Sequence, residues 1–180
     1  MKIRFLAMTA ALSLLAQPAF GALPVGAKAP AFTTQASLAG KPFSFTLAQA
    51  LKKGPVVLYF FPAAFTKGCT IEAHEFAEAT DDFRKEGATV IGISADNIET
   101  LNRFSREACR DKFAVASATP AIIKAYDVVL PKKPTLSDRT SYVIAPDGKV
   151  IYTHSELSPQ NHVKNTMAAV RKWKAEKKRG

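Results

Sequence analysis

The 180-residue chain reads as an α/β domain built on a central mixed sheet flanked by helices. Three observations lead there. "VVLYFF" (Val56–Phe61) is a continuous β-branched and aromatic run with no polar face, as a strand covered on both faces must be, and "ATVIGIS" (Ala88–Ser94) reads as a second buried strand. A helix-competent segment follows each. The chain then closes with a strand, a "PDGK" turn, a second strand and a last helix.

In order, residues 22–40 are marked by Pro and Gly, with a short strand at Ala31–Ala36 forming an N-terminal extension. "KPFSFTLA" (Lys41–Ala48) alternates like a small strand and runs into a short helix, which breaks at Gly54–Pro55. Val56–Phe61 is the first central strand. Residues 70–86 form a helix, with Ile71, Phe76 and Phe83 among charged neighbours. Ala88–Ser94 is the second central strand, and Asp96 and Asn97 can cap the helix that continues to about Cys109. Phe113–Ser117 is a third strand, and Pro120–Tyr126 is a short helix. After the loop "LPKKPTLSD", "TSYVIAPDGKVIYTH" forms a hairpin, and a helix from about Pro159 to Lys174 ends the fold. This order suits a thioredoxin-like architecture.

The first residues read separately. Lys2 and Arg4 precede an apolar run from Ile3 to Leu15, and Ala19 and Gly21 are small residues two apart. This is the pattern of a secretory signal peptide cleaved after Gly21, leaving one domain over residues 22–180. The run is shorter than the roughly 20 residues of a spanning helix, so no lasting membrane insertion is expected. The mature protein is expected to be exported, into the periplasm or beyond the cell.

The formal charge is +10, and +8 without Lys2 and Arg4. Much of it lies in Arg171, Lys172, Lys174, Lys177, Lys178 and Arg179. A basic tail can mark nucleic-acid binding, but here it follows a helical segment, where cations suit the helix dipole. No nucleic-acid partner is expected. The Cys/His spacing fits no zinc site, and there is no phosphate loop or nucleotide fingerprint.

The chemistry concentrates in "FFPAAFTKGCTIEAHEF" (Phe60–Phe76). Pro62 stops the strand, since it cannot continue the ladder. A small loop leads to Cys69 in the opening turn of the helix. There the unpaired backbone N–H groups and the positive end of the dipole favour thiolate, and Lys67 adds charge. This placement argues for a reachable rather than a buried sulfur. Thr66 lies three residues earlier, where its hydroxyl can orient a substrate carrying O–H beside a second oxygen, or can simply cap the helix. A structural disulfide is the other reading of Cys69.

Phe61, Pro62, Thr66 and Cys69 together resemble the active-site segment of the peroxiredoxins. The "GCT" form with Glu72 is most similar to the bacterioferritin-comigratory (PrxQ-type) branch. Arg139, in "SDRTSYVIAPDGKV", matches a second element seventy residues away. The resemblance spans roughly residues 24–175. It implies a peroxidase without bound cofactor, reducing hydrogen peroxide or small organic hydroperoxides. In that reading Cys69 attacks a peroxide oxygen, Arg139 stabilises thiolate and transition state, Thr66 orients the peroxide and Pro62 shields the sulfur. A thioredoxin-like dithiol protein would return the enzyme to its thiol form.

His74 occupies the position five residues after Cys69, where many members of this branch carry the resolving cysteine. Cys109 is then the resolving thiol that the resemblance leaves, about one turn beyond the place where some members carry it. Arg106 and Arg110 could lower its pKa. Two alternatives stand beside this: a one-cysteine enzyme resolved by an external thiol, and a thioredoxin-fold binding or holdase module with a static Cys69–Cys109 disulfide. A cysteine hydrolase is weaker still, because no histidine partner is evident.

Overall fold

The computed structural model describes residues 21–179. The leader expected over residues 1–21 lies outside the described residues, apart from Gly21. Seven strands form one mixed sheet in the order β2-β1-β5-β4-β3-β6-β7. They are β1 (Thr33–Leu38), β2 (Lys41–Thr46), β3 (Val56–Phe60), β4 (Thr89–Ser94), β5 (Ala114–Ser117), β6 (Thr140–Ile144) and β7 (Val150–Ser155). The helices are α1 (Leu47–Leu51), α2 (Lys67–Lys85), α3 (Ile98–Glu107), α4 (Pro120–Ala125) and α5 (His162–Lys177). β3, β4 and β5 run parallel, while β6 pairs antiparallel with β3 and β1 antiparallel with β5. This is the thioredoxin-like arrangement expected from the element order.

β3 lies near the middle, and each of its residues is fully buried. Successive side chains alternate between faces. Val56, Leu58 and Phe60 join the core under α1 and α4, while Val57, Tyr59 and Phe61 join the core under α2, α3 and α5. That two-sided burial is why the sequence there has no polar face. Among the described residues no helix is long and apolar enough to cross a membrane.

Two helix boundaries differ from those expected. α2 begins at Lys67, three residues before the expected start, which puts Cys69 inside its first turn. α3 ends at Glu107, so Cys109 falls just beyond the helix. Of the two expected caps only Asn97 serves, accepting from the Thr100 N–H at 2.9 Å. Asp96 accepts instead from the Ala64 N–H at 2.8 Å and the Ser94 hydroxyl at 2.7 Å, tying the loop before Cys69 to the end of β4.

Candidate active site

The site forms where β3 ends and α2 begins. Pro62 ends the strand, and the loop through Ala63 to Thr66 turns toward solvent. Phe65 adopts the left-handed conformation (φ 62°) that a bulky side chain disfavours. Its ring lies edge-on to Phe104 of α3, centroids 5.2 Å apart, beneath the Arg103 guanidinium at 5.1 Å. These contacts hold the strained residue in place.

The first bond of α2 runs from the Thr70 N–H to the Thr66 carbonyl at 2.9 Å. The N–H groups of Lys67, Gly68 and Cys69 therefore precede the regular helical ladder, and Cys69 sits among them. Thr66 occupies the cap position, but its hydroxyl caps nothing; it donates to the Ala63 carbonyl at 3.0 Å and is exposed. Lys67 is exposed as well.

Arg139 comes from the residue just before β6, which pairs with β3, and this pairing carries its side chain under α2. One guanidinium nitrogen donates to Cys69 Sγ at 3.5 Å, a second donates to Glu72, and Nε donates to the Leu157 carbonyl at 2.8 Å. Arg139 is thus held inside the protein. It is 5% exposed and fixed by three acceptors. Gly68 permits the approach: a Cβ there would meet the guanidinium at 3.1 Å.

The expectation of a reachable sulfur is corrected. Cys69 is 1% exposed, because the loop covers it from one side and Ala73 and Phe76 belong to the same packed core. A cavity of about 840 Å³ opens beside the loop, bordered by Pro62, Ala63, Thr66, Leu130, Leu136 and Leu157. Pro62 and Thr66 line it, while Cys69 and Arg139 do not.

Cys109 is also fully buried, and burial, then the Asp111 charge, push its thiol well above the ordinary range. The suggestion that neighbouring arginines lower it fails, since Arg110 turns away to Glu78 at 3.1 Å. Both cysteines are free thiols, so a static bridge is absent here.

Glu72 and His162 complete the centre. Both are wholly buried, and His162 Nδ1 lies 3.6 Å from Glu72 Oε1 and 2.8 Å from Ser141 Oγ. Burial raises the Glu72 carboxyl to about 8 even though Arg139 opposes it. Burial likewise lowers His162 to about 4, with the positive charge of Arg139 contributing. His162 is not among the site residues expected from the sequence. One signal was available: His162, Thr166 and Val170 recur every four residues, which marks the buried face of α5.

A cysteine in an opening helical turn, hydrogen-bonded by a buried guanidinium on a thioredoxin-like sheet, defines a thiol-based redox enzyme. The comparisons agree. The profile of the AhpC/TSA family matches residues 25–153. Chloroplastic peroxiredoxin Q of Sedum lineare is 30% identical over 156 residues, covering 86% of this chain and 82% of that protein. Peroxiredoxin Bcp of Xanthomonas campestris pv. campestris is 28% identical over 124 residues, covering 64% of this chain and 76% of its own length. The crystal structure of peroxidoxin BcpB from Mycobacterium tuberculosis superposes with a TM-score of 0.73 at 31% identity, over 82% of this chain and 96% of that one. The chain belongs to the AhpC/TSA family of peroxiredoxins and is a thiol peroxidase.

Proposed function

We propose that the chain reduces hydrogen peroxide and small organic hydroperoxides through Cys69. The observation that carries this is the hydrogen bond from Arg139 to Cys69 Sγ in the first turn of α2. The Cys69 thiolate attacks the near oxygen of the peroxide; the S–O bond forms as the O–O bond breaks. The leaving oxygen takes the electron pair and then a proton, giving water or an alcohol, and Cys69 becomes sulfenic acid. Arg139 stays charged throughout, so it stabilises thiolate and leaving oxygen without titrating. Thr66, already hydrogen-bonding the loop, orients the peroxide, and Pro62 shields the sulfur from bulk water.

Cys109 then attacks the sulfenic sulfur, releasing water and forming a disulfide, which a thioredoxin-like dithiol protein reduces to two thiols. Burial of Cys109 requires the end of α3 to open first. The backbone there supports such an opening: Arg110 and Asp111 are consecutive non-glycine residues in the left-handed region, with φ 52° and 58°. Such residues each store about 1–3 kcal/mol. Opening releases that strain. We place the enzyme outside the cytoplasm, from the signal-peptide pattern of residues 1–21, with the mature chain starting at Ala22.

Mass spectrometry after one equivalent of peroxide tests the assignment. The reading predicts a Cys69–Cys109 disulfide in the intact chain and a trappable Cys69 sulfenic acid in Cys109→Ser. Oxidation confined to other residues overturns it.

A further inference from the structure

The buried cluster behind Arg139 contains chemistry that the peroxidase reading does not use. Glu72 Oε2 accepts from Arg139, but Glu72 Oε1 is buried without a hydrogen-bond partner. It faces His162 Nδ1 at 3.6 Å. The other ring nitrogen, Nε2, lies 3.0 Å from the Glu156 carbonyl, which can only accept. Nε2 therefore carries a proton. In the neutral ring Nδ1 is then bare, and it accepts from the Ser141 hydroxyl at 2.8 Å.

A second proton on His162 would place a cation beside Arg139 and against the His154 ring, 4.5 Å away, in a dry interior. An ionised Oε1 would instead point a carboxylate at a nitrogen lone pair. The repulsion is removed when Oε1 carries the proton, whose O–H then competes with the Ser141 hydroxyl for the one Nδ1 lone pair. The direction of both shifts agrees: the Glu72 carboxyl is held up and the His162 ring is held down. The other groups facing this pair are Glu75 on α2, Tyr59 on β3, Cys69, and His154, which itself approaches Glu156 at 3.6 Å.

We propose that Glu72 and His162 share one proton, held on Glu72 Oε1, and that this proton sets how much of the Arg139 charge is available to Cys69. With the proton in place the pair is neutral, and the Cys69 thiolate is the one anion that Arg139 hydrogen-bonds. When it is lost, Glu72 becomes a full counterion 67 positions from Arg139 in sequence but bonded to it in space, and the positive field at the sulfur falls. His162 is thereby a positioning residue, acting through Glu72 and Arg139 without touching the peroxide. The inference rests on the peroxidase reading for its consequence at Cys69, while the shared proton stands apart from it.

The experiment is an infrared pH titration of the reduced full chain, paired with the rate of Cys69 oxidation by hydrogen peroxide over the same range. We expect a buried carboxylic-acid band that disappears above neutral pH and is absent from Glu72→Gln. His162→Leu is expected to move its midpoint down by at least one pH unit. Should that variant fail to fold, Ser141→Ala serves, since freeing Nδ1 for Glu72 moves the midpoint up. The wild-type oxidation rate should fall by about tenfold across the same midpoint, a decline missing from Glu72→Gln. A missing band at neutral pH, or a midpoint that neither variant moves, overturns the shared proton. A band that titrates as expected beside a rate with no matching decline overturns its link to Cys69. A protein with the band but no peroxide reaction at Cys69 overturns the peroxidase reading and that link with it, leaving the shared proton supported.

Discussion

The Arg139 guanidinium bridges two groups of α2 at once, Cys69 through one terminal nitrogen and Glu72 through another, with both acceptors buried. Residues three apart share a helix face, so Cys69 and Glu72 meet one cation from one side. The sulfur and the carboxylate compete for the same charge, and several consequences follow from that competition.

Removing the cation separates catalysis from stability. Arg139→Met is expected to slow Cys69 oxidation about 100-fold, the usual effect of losing one preorganised charge-stabilising donor. It also leaves Glu72 buried without its partner, which costs about 3 kcal/mol at alkaline pH. The double variant Arg139→Met/Glu72→Gln should recover most of that stability and none of the rate. Urea unfolding and stopped-flow oxidation measure the two effects, and recovery of both would contradict this division.

Stability should depend on pH through Glu72. The folded carboxyl titrates at about 8 and the reference group at 4.5, so between these values the folded chain holds a proton that the unfolded chain has released. Its contribution is complete below 4.5 and is lost as pH rises through about 8. His162 acts oppositely: lowered from 6.5 to about 4, it stabilises above 6.5 and loses that contribution as pH falls through about 4. From about pH 6.5 to 8 Glu72 alone sets the trend, a decline of up to ~1.4 kcal/mol per pH unit. Urea midpoints across this window should fall in wild type and stay level in Glu72→Gln.

Much of this was open to sequence reading, for physical reasons. β3 is apolar at every position because both faces are covered, and Cys69 follows a proline that must stop the strand. Arg139 was found by resemblance, but its partner was not. Asp138 is its neighbour in sequence, whereas strand pairing turns Arg139 inward to Glu72 and leaves Asp138 accepting from Thr140 at 2.8 Å. The burial of Cys69 was missed because exposure depends on how a loop folds back. That fold depends on Phe65 finding Phe104 and Ala64 finding Asp96, pairings more than thirty positions apart in sequence. His162 reaches the site only because α5 packs beside α2.

Gly68→Ala should weaken the site without unfolding the chain. The added methyl meets the guanidinium at 3.1 Å, so the side chain must shift by a few tenths of an ångström. Cys69 oxidation is expected to drop about tenfold, with the urea midpoint nearly unchanged. Loss of stability in step with the rate would mean the effect lies in the helix rather than in Arg139.

Gly92→Ala tests the packing beneath α2. Gly92 is the register partner of Tyr59, and a Cβ there would lie 2.7 Å from the Tyr59 ring. Tyr59 stacks on Phe76 of α2 at 4.3 Å and has no room to retreat. Overpacking of this kind costs about 1–3 kcal/mol, which denaturant unfolding will read directly.

The most direct test is steady-state peroxide consumption by Cys69→Ser with a thioredoxin-like donor in excess, beside wild type and Cys109→Ser. The account predicts that Cys69→Ser falls to the rate of donor alone, while Cys109→Ser still oxidises once at Cys69. Peroxide turnover by Cys69→Ser at the wild-type rate would contradict it.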